Sequence, residues 1–261
     1  MDHNNSSKIE VKADLTKTLE KAYDDALKQP LKSSSNVLST VFDFFHNTVL
    51  YPMQKYNLYA ENKLNNYACE LQERAQSIPE ENLVSPRVNI LGPTVEGLKY
   101  NLDEDYIKEM FTNILISDMD SRKQSKVLPS YVEIVKQLNK NDAEMLKFFK
   151  EKNIKEDPIV KLKYNFVNGG FIYASNNIGL IYNNEDIILD AIVLDNLVRL
   201  RLIELNFNEY RNNILIYEKA FEKIQQRDEF KNLGPNIKDL GFSKGLIKLT
   251  DFGQNFIDIC L

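Results

Sequence analysis

Residues 171–182 read FIYASNNIGLIY and carry the first clear strand signal in the chain. Two runs of aromatic and β-branched residues, 171–173 and 179–182, flank the polar triplet 175–177. Short runs of this kind, bounded by Asn and Gly, are typical of β-strands, whereas helices need longer periodic stretches. We therefore expect two short β segments here, separated by a break at the polar triplet.

Downstream of this stretch the pattern predicts a helix and then a hairpin. The helix is expected to begin at residues 185–186 and to continue up to the apolar run at 202–205. This run and a second one at 214–217 flank an Asn-rich turn. Two β-prone runs around such a turn are typical of a β-hairpin.

The complete order of elements predicts a mainly α protein in two domains. A strand at 246–249 and a final helix capped by Thr250 follow the hairpin, which predicts a smaller, winged-helix-like α+β domain over residues 141–261. Upstream, apolar residues recur at helical spacing without a strand signal, so an N-terminal helical bundle is expected over residues 14–140. Residues 1–13 are polar and are predicted to form a disordered tail.

The composition is that of a globular protein in a reducing compartment. Of the 261 residues, 43% are hydrophobic and 27% are charged, which allows a core without disulfides or metals. Cys69 and Cys260 are too few for a disulfide framework, and the chain shows neither a signal peptide nor a membrane-spanning apolar run, so a cytoplasmic location is expected. The net charge of −5 argues against attraction of the whole molecule to nucleic acid or anionic lipid.

The sequence contains no pattern typical of a catalytic, cofactor-binding or metal-binding site. Its two histidines, His3 and His46, have no Cys or His at ligand spacing, and Cys69 has no histidine partner. Carboxylates at 103–105 and 185–186 stand where helices are expected to begin, and the helix dipole explains them. We therefore expect no metal, no cofactor and no enzyme activity. The alternative is an enzyme whose scattered carboxylates meet in space.

Two sets of basic residues are candidate contacts for a protein partner or for nucleic acid. They are Arg122, Lys123 and Lys126 in one short loop, and Arg199, Arg201 and Arg211 near the predicted wing. The loop either binds phosphate, nucleic acid or an acidic protein, or is a solvated connection between helices. For the second set, Asp190 and Asp195 lie on earlier turns of the predicted helix, and Arg199 and Arg201 lie only at its end, so a structural or protein-binding role is favoured over DNA reading.

The most apolar stretch of the chain, residues 37–50, contains Phe42, Phe44 and Phe45. It is either a helix in the core of the bundle or a helix that docks on a partner or a membrane surface. Because the basic polar face of an interfacial helix is missing, the core interpretation is favoured.

Several stretches resemble the abortive infection alpha (Abi-alpha) family of bacteria and their prophages. The matching positions are 78–83, 86, 92–93, 98–100, 106–115, 127–132, 137–143, 195–203 and 250–256, with Tyr23 and residues 29–30 upstream. They are many weak matches in the right order, without a catalytic signature. The chain departs from the pattern at Leu128, where a histidine is expected, and at Arg201, where a glycine is expected.

The resemblance implies a role in the conflict between bacteria and phages. We expect a phage-defence protein that binds a phage or host component without catalysis of its own, and that is either a monomer or a homo-oligomer. Two alternatives stay open: a winged-helix regulator that binds nucleic acid, and a prophage-encoded protein that counters a host defence.

Overall fold

The computed structural model describes residues 66–67, 70–182, 185–189, 191–226, 228–230 and 233–261. The chain divides into two compact units. The first extends to Gln137 and includes Cys260, and the second consists of Leu138–Ile259 and Leu261. Each unit is described by itself below.

Two predicted segments fall outside the described residues: the tail at 1–13 and the apolar stretch at 37–50, with Phe42, Phe44 and Phe45. Among the helices that the structure describes, none combines the length and the apolar character that crossing a bilayer requires.

The first unit, where it is described, consists mainly of helices. The α-helices with both ends described are α1 (Val88–Asn101), α2 (Asp105–Asp118) and α3 (Pro129–Val135). Residues 70–75 are also helical, and single 3₁₀ turns lie at Glu80–Asn82 and Gln124–Lys126. The helices α1, α2 and α3 pack against one another around Phe111, which is fully buried. Pro129 opens α3, where its missing N–H needs no helical partner.

Pro93 lies inside α1, which is nevertheless continuous from Val88 to Asn101. A proline inside a helix costs about 3 kcal/mol, because it removes one hydrogen bond and crowds the preceding turn. Four apolar side chains of α1 are almost completely buried: Ile90, Leu91, Val95 and Leu98. Each such burial contributes about 1.5 to 3 kcal/mol, so packing outweighs the proline.

The second unit combines helices with one antiparallel sheet. Its helices are α4 (Lys140–Glu151), α5 (Ala191–Arg199), α6 (Leu215–Gln225) and α7 (Asp251–Cys260), and a 3₁₀ turn lies at Asp228–Phe230. Its strands are β1 (Glu156–Phe166), β2 (Phe171–Tyr182), β3 (Glu185–Leu189), β4 (Ile203–Asn206) and β5 (Ile237–Leu249). The strand order is β3-β2-β1-β5-β4, and every neighbouring pair is antiparallel.

This sheet contradicts the mainly α fold class, because the chain has a mixed α+β arrangement. The winged-helix-like module is also wrong, since the sheet has five strands, and β5 alone has 13 residues. β1 is its central strand and was missed because the Asp157-Pro158 pair looks like a loop. Pro158 is tolerated there because β1 pairs only with β5 at this residue, and pairing with β2 starts at Ile159.

Residues 171–182, predicted to form two short β segments, form the single strand β2. Lys161 pairs with Ile178 and Lys163 pairs with Tyr173, so residues 174–177 of β2 have only one residue of β1 opposite them. The polar triplet therefore lies in a bulge-like irregularity within β2, and the chain does not turn there.

Two other segments have a different secondary structure from the one predicted: a predicted helix start is a strand, and a predicted strand is a helix. Residues 185–189 form β3, which pairs with β2, so the predicted helix begins only at Ala191. The predicted hairpin does not exist, because β4 pairs with β5 and its supposed second strand is helix α6. On α6, Tyr217, Ala220 and Ile224 follow helical spacing and are buried, which a strand would not allow.

The core of the second unit lies between α6 and the sheet. Side chains of β1 and β2 pack there against α6 and the 3₁₀ turn: Val160, Leu162, Ala174, Tyr217, Ala220, Ile224 and Phe230. The start of α7 follows the prediction, and α4 also begins at a side-chain cap. Asn139 and Asp142 form a capping box at α4, and the Thr250 hydroxyl accepts from the Gly253 N–H at α7.

Candidate functional site

The alternation of side chains along β1 places two lysines on one face of the sheet. Val160 and Leu162 point to the core with α6, so Lys161 and Lys163 lie on the opposite face. Lys163 is directly opposite Tyr173 of β2 in the strand register. Residues opposite each other in an antiparallel pair share a face, so Tyr173 lies on the lysine side as well.

The lysine ammonium groups lie over aromatic rings on this face. The Nζ of Lys161 is 4.6 Å from the ring centre of Tyr173 and 5.6 Å from that of Phe207. The Nζ of Lys163 is 4.8 Å from the ring centre of Phe171. These distances are within the range of cation–π attraction. We call Lys161, Lys163, Phe171, Tyr173 and Phe207 the lysine–aromatic face.

The rings of this face are accessible to solvent. Phe171 is 49% exposed and Tyr173 is 44% exposed. Their ring centres are 5.4 Å apart in an edge-to-face arrangement. The Tyr173 hydroxyl is 3.4 Å from the hydroxyl oxygen of Ser243 on β5. Exposed aromatic clusters of this kind are unusual on a surface that binds nothing.

Two glycines of β5 leave space for the lysine–aromatic face. A Cβ on Gly241 would be 3.0 Å from Cε of Lys163. A Cβ on Gly245 would be 2.6 Å from the Phe207 ring. Larger residues at these two positions would displace the lysine stem and the ring.

The face is not uniformly positive. Asp239 of β5 is opposite Asn165 of β1, and the Asn165 side-chain amide donates to its carboxylate at 2.6 Å. Because Asn165 and Lys163 are two residues apart on β1, Asp239 adds a negative charge at the end of the same face.

A second lysine–tyrosine pair occurs on the other face of the sheet. Lys244 is opposite Val160 in the register and therefore shares its face. Its Nζ lies 3.8 Å from the ring centre of Tyr210, which is 50% exposed. This pair has the same chemistry as the lysine–aromatic face and provides a matched control for it.

The predicted basic loop is an ordered turn in the first unit. Arg122 donates from Nε and Nη2 to the Asp120 carboxylate at 2.8 and 2.6 Å. The hydrogen bonds from Arg122 hold the pKa of Asp120 below its ordinary value and raise the pKa of Arg122. Lys123 and Lys126 are exposed. The charge of Arg122 is therefore partly neutralised by its own loop.

An ion pair between the half-exposed Arg87 and the buried Asp118 holds this loop in place. The guanidinium of Arg87 donates to the Asp118 carboxylate at 2.6 and 2.8 Å, and it also donates to the carbonyl oxygens of Gln124 and Val127. Burial raises the pKa of Asp118, and the hydrogen bonds from Arg87 act in the opposite direction. These residues are structural, because their polar atoms are engaged with one another.

The three arginines near the predicted wing do not form a DNA-reading helix. Arg199 donates to the side-chain oxygen of Asn196 on its own helix, α5. Arg201 follows that helix in a turn and has a φ of 61°. Arg211 donates to the Glu156 carbonyl oxygen at 2.7 Å, in the loop before α6.

Polar or reactive side chains also occur at Cys260 and in the lining of a cavity in the first unit. Cys260 is fully buried, and burial raises the pKa of its thiol well above the ordinary value. A cavity of about 330 Å³ in the first unit is lined by Glu70, Asp103, Asp105 and Lys108, among others, and Lys108 is 3.4 Å from Glu70. Within the described ranges, no three His, Cys, Asp or Glu side chains form a group that could hold a metal.

The lysine–aromatic face was missed in the sequence because β1 was missed. The signal is the alternation in Lys161-Leu162-Lys163-Tyr164, in which polar and apolar residues change places at every step. Tyr173 was seen as part of a β-prone run. Only the strand pairing shows that it lies on the same face as the lysines.

Comparison with known proteins gives one match. The sequence model of a family described as abortive infection alpha matches residues 59–260. No curated protein and no solved structure matches the chain.

Proposed function

The chain belongs to the abortive infection alpha family, and from this membership we propose that it is a cytoplasmic phage-defence protein of bacteria. The match over residues 59–260 is the observation that carries the proposal, since it covers both compact units. In abortive defence an infected cell stops growing or dies before phage progeny are released, so the surrounding population survives.

We further propose that the protein acts by binding a phage or host component and has no catalysis of its own. Two buried carboxylates of the described residues accept structural hydrogen bonds. Asp118 is paired with Arg87, and Asp142 accepts from the Asn139 N–H and from the Asn196 side chain. A nucleophilic cysteine needs a thiolate, which the raised pKa of Cys260 disfavours.

A binding role is supported by the lysine–aromatic face. Half-exposed aromatic rings are frequent anchors in binding sites, because they bury a large apolar area and lose little side-chain entropy. Phe171 and Tyr173 provide two such rings on a rigid sheet.

A phage challenge tests the defence role. Bacteria that express the protein are infected at low and at high multiplicity, beside cells with an empty vector. We expect survival of the culture at low multiplicity and collapse at high multiplicity, because each infected cell is sacrificed. A Leu162→Asp variant, which puts a charge into the core of the second unit, serves as the unfolded control and is expected to give no protection.

Two outcomes would contradict the proposal. Equal lysis with the protein and with the vector across a broad phage panel would remove the defence role. More plaques with the protein than with the vector would favour a protein that counters a host defence.

A further inference from the structure

We propose that the lysine–aromatic face binds single-stranded nucleic acid. This inference rests on the proposed function, because it assigns the chemistry of the component that the defence protein binds. The inference goes beyond the proposed function because it names the surface, the contacts and the class of ligand.

The exposed aromatic rings of the lysine–aromatic face can stack on unpaired bases. Proteins that bind single strands stack bases on exposed aromatic rings, and each stacked base contributes about 1 to 3 kcal/mol. Phe171 and Tyr173 are exposed by 49% and 44% and stand two residues apart on β2. Their ring centres are 5.4 Å apart and their planes are inclined by 74°, so the two rings offer stacking surfaces in different directions. Unpaired bases of a single strand can be splayed apart to meet such surfaces, whereas the parallel bases of a duplex cannot.

The two lysines of this face supply positive charge for the phosphates of the strand. Lys161 and Lys163 hold their ammonium groups 4.6 and 4.8 Å from the ring centres on which the bases would stack. Lysine side chains are long and flexible, so an arriving base can displace the ammonium from the ring to the adjacent phosphate. The pairing thus places one cation beside each stacking platform, which complements the one phosphate per nucleotide of the ligand.

The combination of exposed rings and lysines distinguishes a single strand from a duplex and from an acidic peptide. In a duplex the faces of the bases are hidden in the stack, so rings exposed on the surface of a sheet reach only unpaired bases. An acidic peptide would pair with the two lysines but would not need the two exposed rings. The combination of rings and cations is therefore best matched by an unpaired strand.

Binding is tested by fluorescence anisotropy of labelled oligothymidine and oligouridine. A length of about 16 nucleotides is used, which is the upper end of the site size known for one OB-fold domain that binds single strands. The DNA arm and the RNA arm distinguish the two sources of the same chemistry. We expect the full chain to bind at low salt, and we expect Phe171→Ala and Tyr173→Ala to weaken binding by about 5- to 100-fold each. Lys161→Ala and Lys163→Ala are also expected to weaken it.

The matched control is Tyr210→Ala. Tyr210 is as exposed as Phe171 and also lies under a lysine, but that lysine shares the opposite face of the sheet. Its removal is expected to leave the affinity unchanged. Asp239→Asn removes a negative charge from the end of the lysine–aromatic face and is expected to tighten binding.

Several results would overturn the inference. They are no binding of either oligonucleotide by the wild type at low salt, equal loss of affinity in Tyr210→Ala, and equal competition by a duplex of the same length. If an alanine variant fails to fold, Phe171→Leu and Tyr173→Leu keep apolar volume without a flat ring and must still lose affinity.

The inference and the proposed function can fail separately. A Phe171→Ala variant that loses oligonucleotide binding but still protects cells against phage shows that the face is not the defence surface. Wild-type protein that binds oligonucleotides but gives no protection leaves the nucleic-acid site in place and removes the defence role.

Discussion

Arg201 adopts the left-handed backbone region, with a φ of 61°. It follows the C-terminus of α5, where its N–H donates to the Val198 carbonyl and the next N–H, from Leu202, donates to the Leu197 carbonyl. These two bonds form a Schellman motif, and the residue in this position is usually glycine. The geometry gives a physical reason why a glycine was expected at this point of the sequence.

We predict that Arg201→Gly raises the free energy of unfolding by about 1 kcal/mol, because a side chain in the left-handed region crowds the following carbonyl oxygen. Urea unfolding followed by circular dichroism measures the change. The matched control is Asn153→Gly at the end of α4, where φ is 51° and the same two hydrogen bonds occur. Asparagine tolerates this region, so the gain there should be only a few tenths of a kcal/mol, roughly. A larger gain at Asn153 would contradict the argument.

The other departure from the family pattern has no comparable explanation. Leu128 is the N-cap residue of α3, and it provides no side-chain hydrogen bond to the helix. Nothing in the structure explains why a histidine would be expected there.

At the scale of elements, α7 approaches the connection between α5 and β4 very closely. A Cβ on Gly253 would overlap the carbonyl oxygen of Leu202. The Thr250 N–H donates to the same carbonyl oxygen at 3.1 Å, and the Thr250 hydroxyl donates to the Arg201 carbonyl oxygen at 2.7 Å. The start of the last helix is therefore fastened to this turn through backbone atoms that cannot move aside.

We predict that Gly253→Ala lowers the free energy of unfolding by about 2 to 4 kcal/mol, because the methyl group collides with backbone and not with a flexible side chain. Gly92→Ala is the control, since Gly92 also lies in a helix and, apart from its chain neighbours, nothing lies within 4 Å of its missing Cβ. The gain of about 0.5 to 1 kcal/mol from an alanine in a helix is opposed there by Pro93, which disfavours the helical region for a preceding residue with a Cβ, so that change should leave the free energy of unfolding within about 1 kcal/mol of the wild-type value. Urea midpoints of the two variants decide the matter, and equal midpoints would contradict the close approach.

Helix boundaries were more predictable than strands in this chain. The boundaries of α3, α4 and α7 depend on local signals that the sequence shows: Pro129, Asn139 and Thr250. Strand β1 has no such boundary signal: the Asp157-Pro158 pair near its start is typical of a loop, and the alternation at 161–164 does not reveal its pairing partners, which are far apart along the chain. The segment at 214–217 shows the converse error, since β-branched residues there were overridden by burial on α6.

For the whole molecule, the charge balance limits how nucleic acid can bind. The net charge is −5 and the sequence pI is about 5.3, so a polyanion is not attracted by the molecule as a whole. Binding at the lysine–aromatic face must therefore depend on few local contacts, and stacking must contribute much of the affinity.

We predict a shallow salt dependence for this reason. With two lysine–phosphate contacts, the logarithm of the association constant should fall with the logarithm of the salt concentration at a slope of about −1.4, and the slope in Lys161→Ala should be about −0.7. Anisotropy titrations over a series of salt concentrations measure both slopes. A wild-type slope steeper than about −4 would indicate a broad basic surface and would contradict this prediction.

The sequence by itself determined the family, the helices with strong caps and the class of a globular chain with a core of its own. These properties depend on local patterns: capping residues, helical spacing and an ordered series of matches along the chain. The tertiary structure alone decided the mixed α+β fold and the location of the candidate surface. The physical reason is that pairing in a sheet joins residues distant in sequence, so only the register of β1, β2 and β5 places Lys161, Lys163 and Tyr173 on one face.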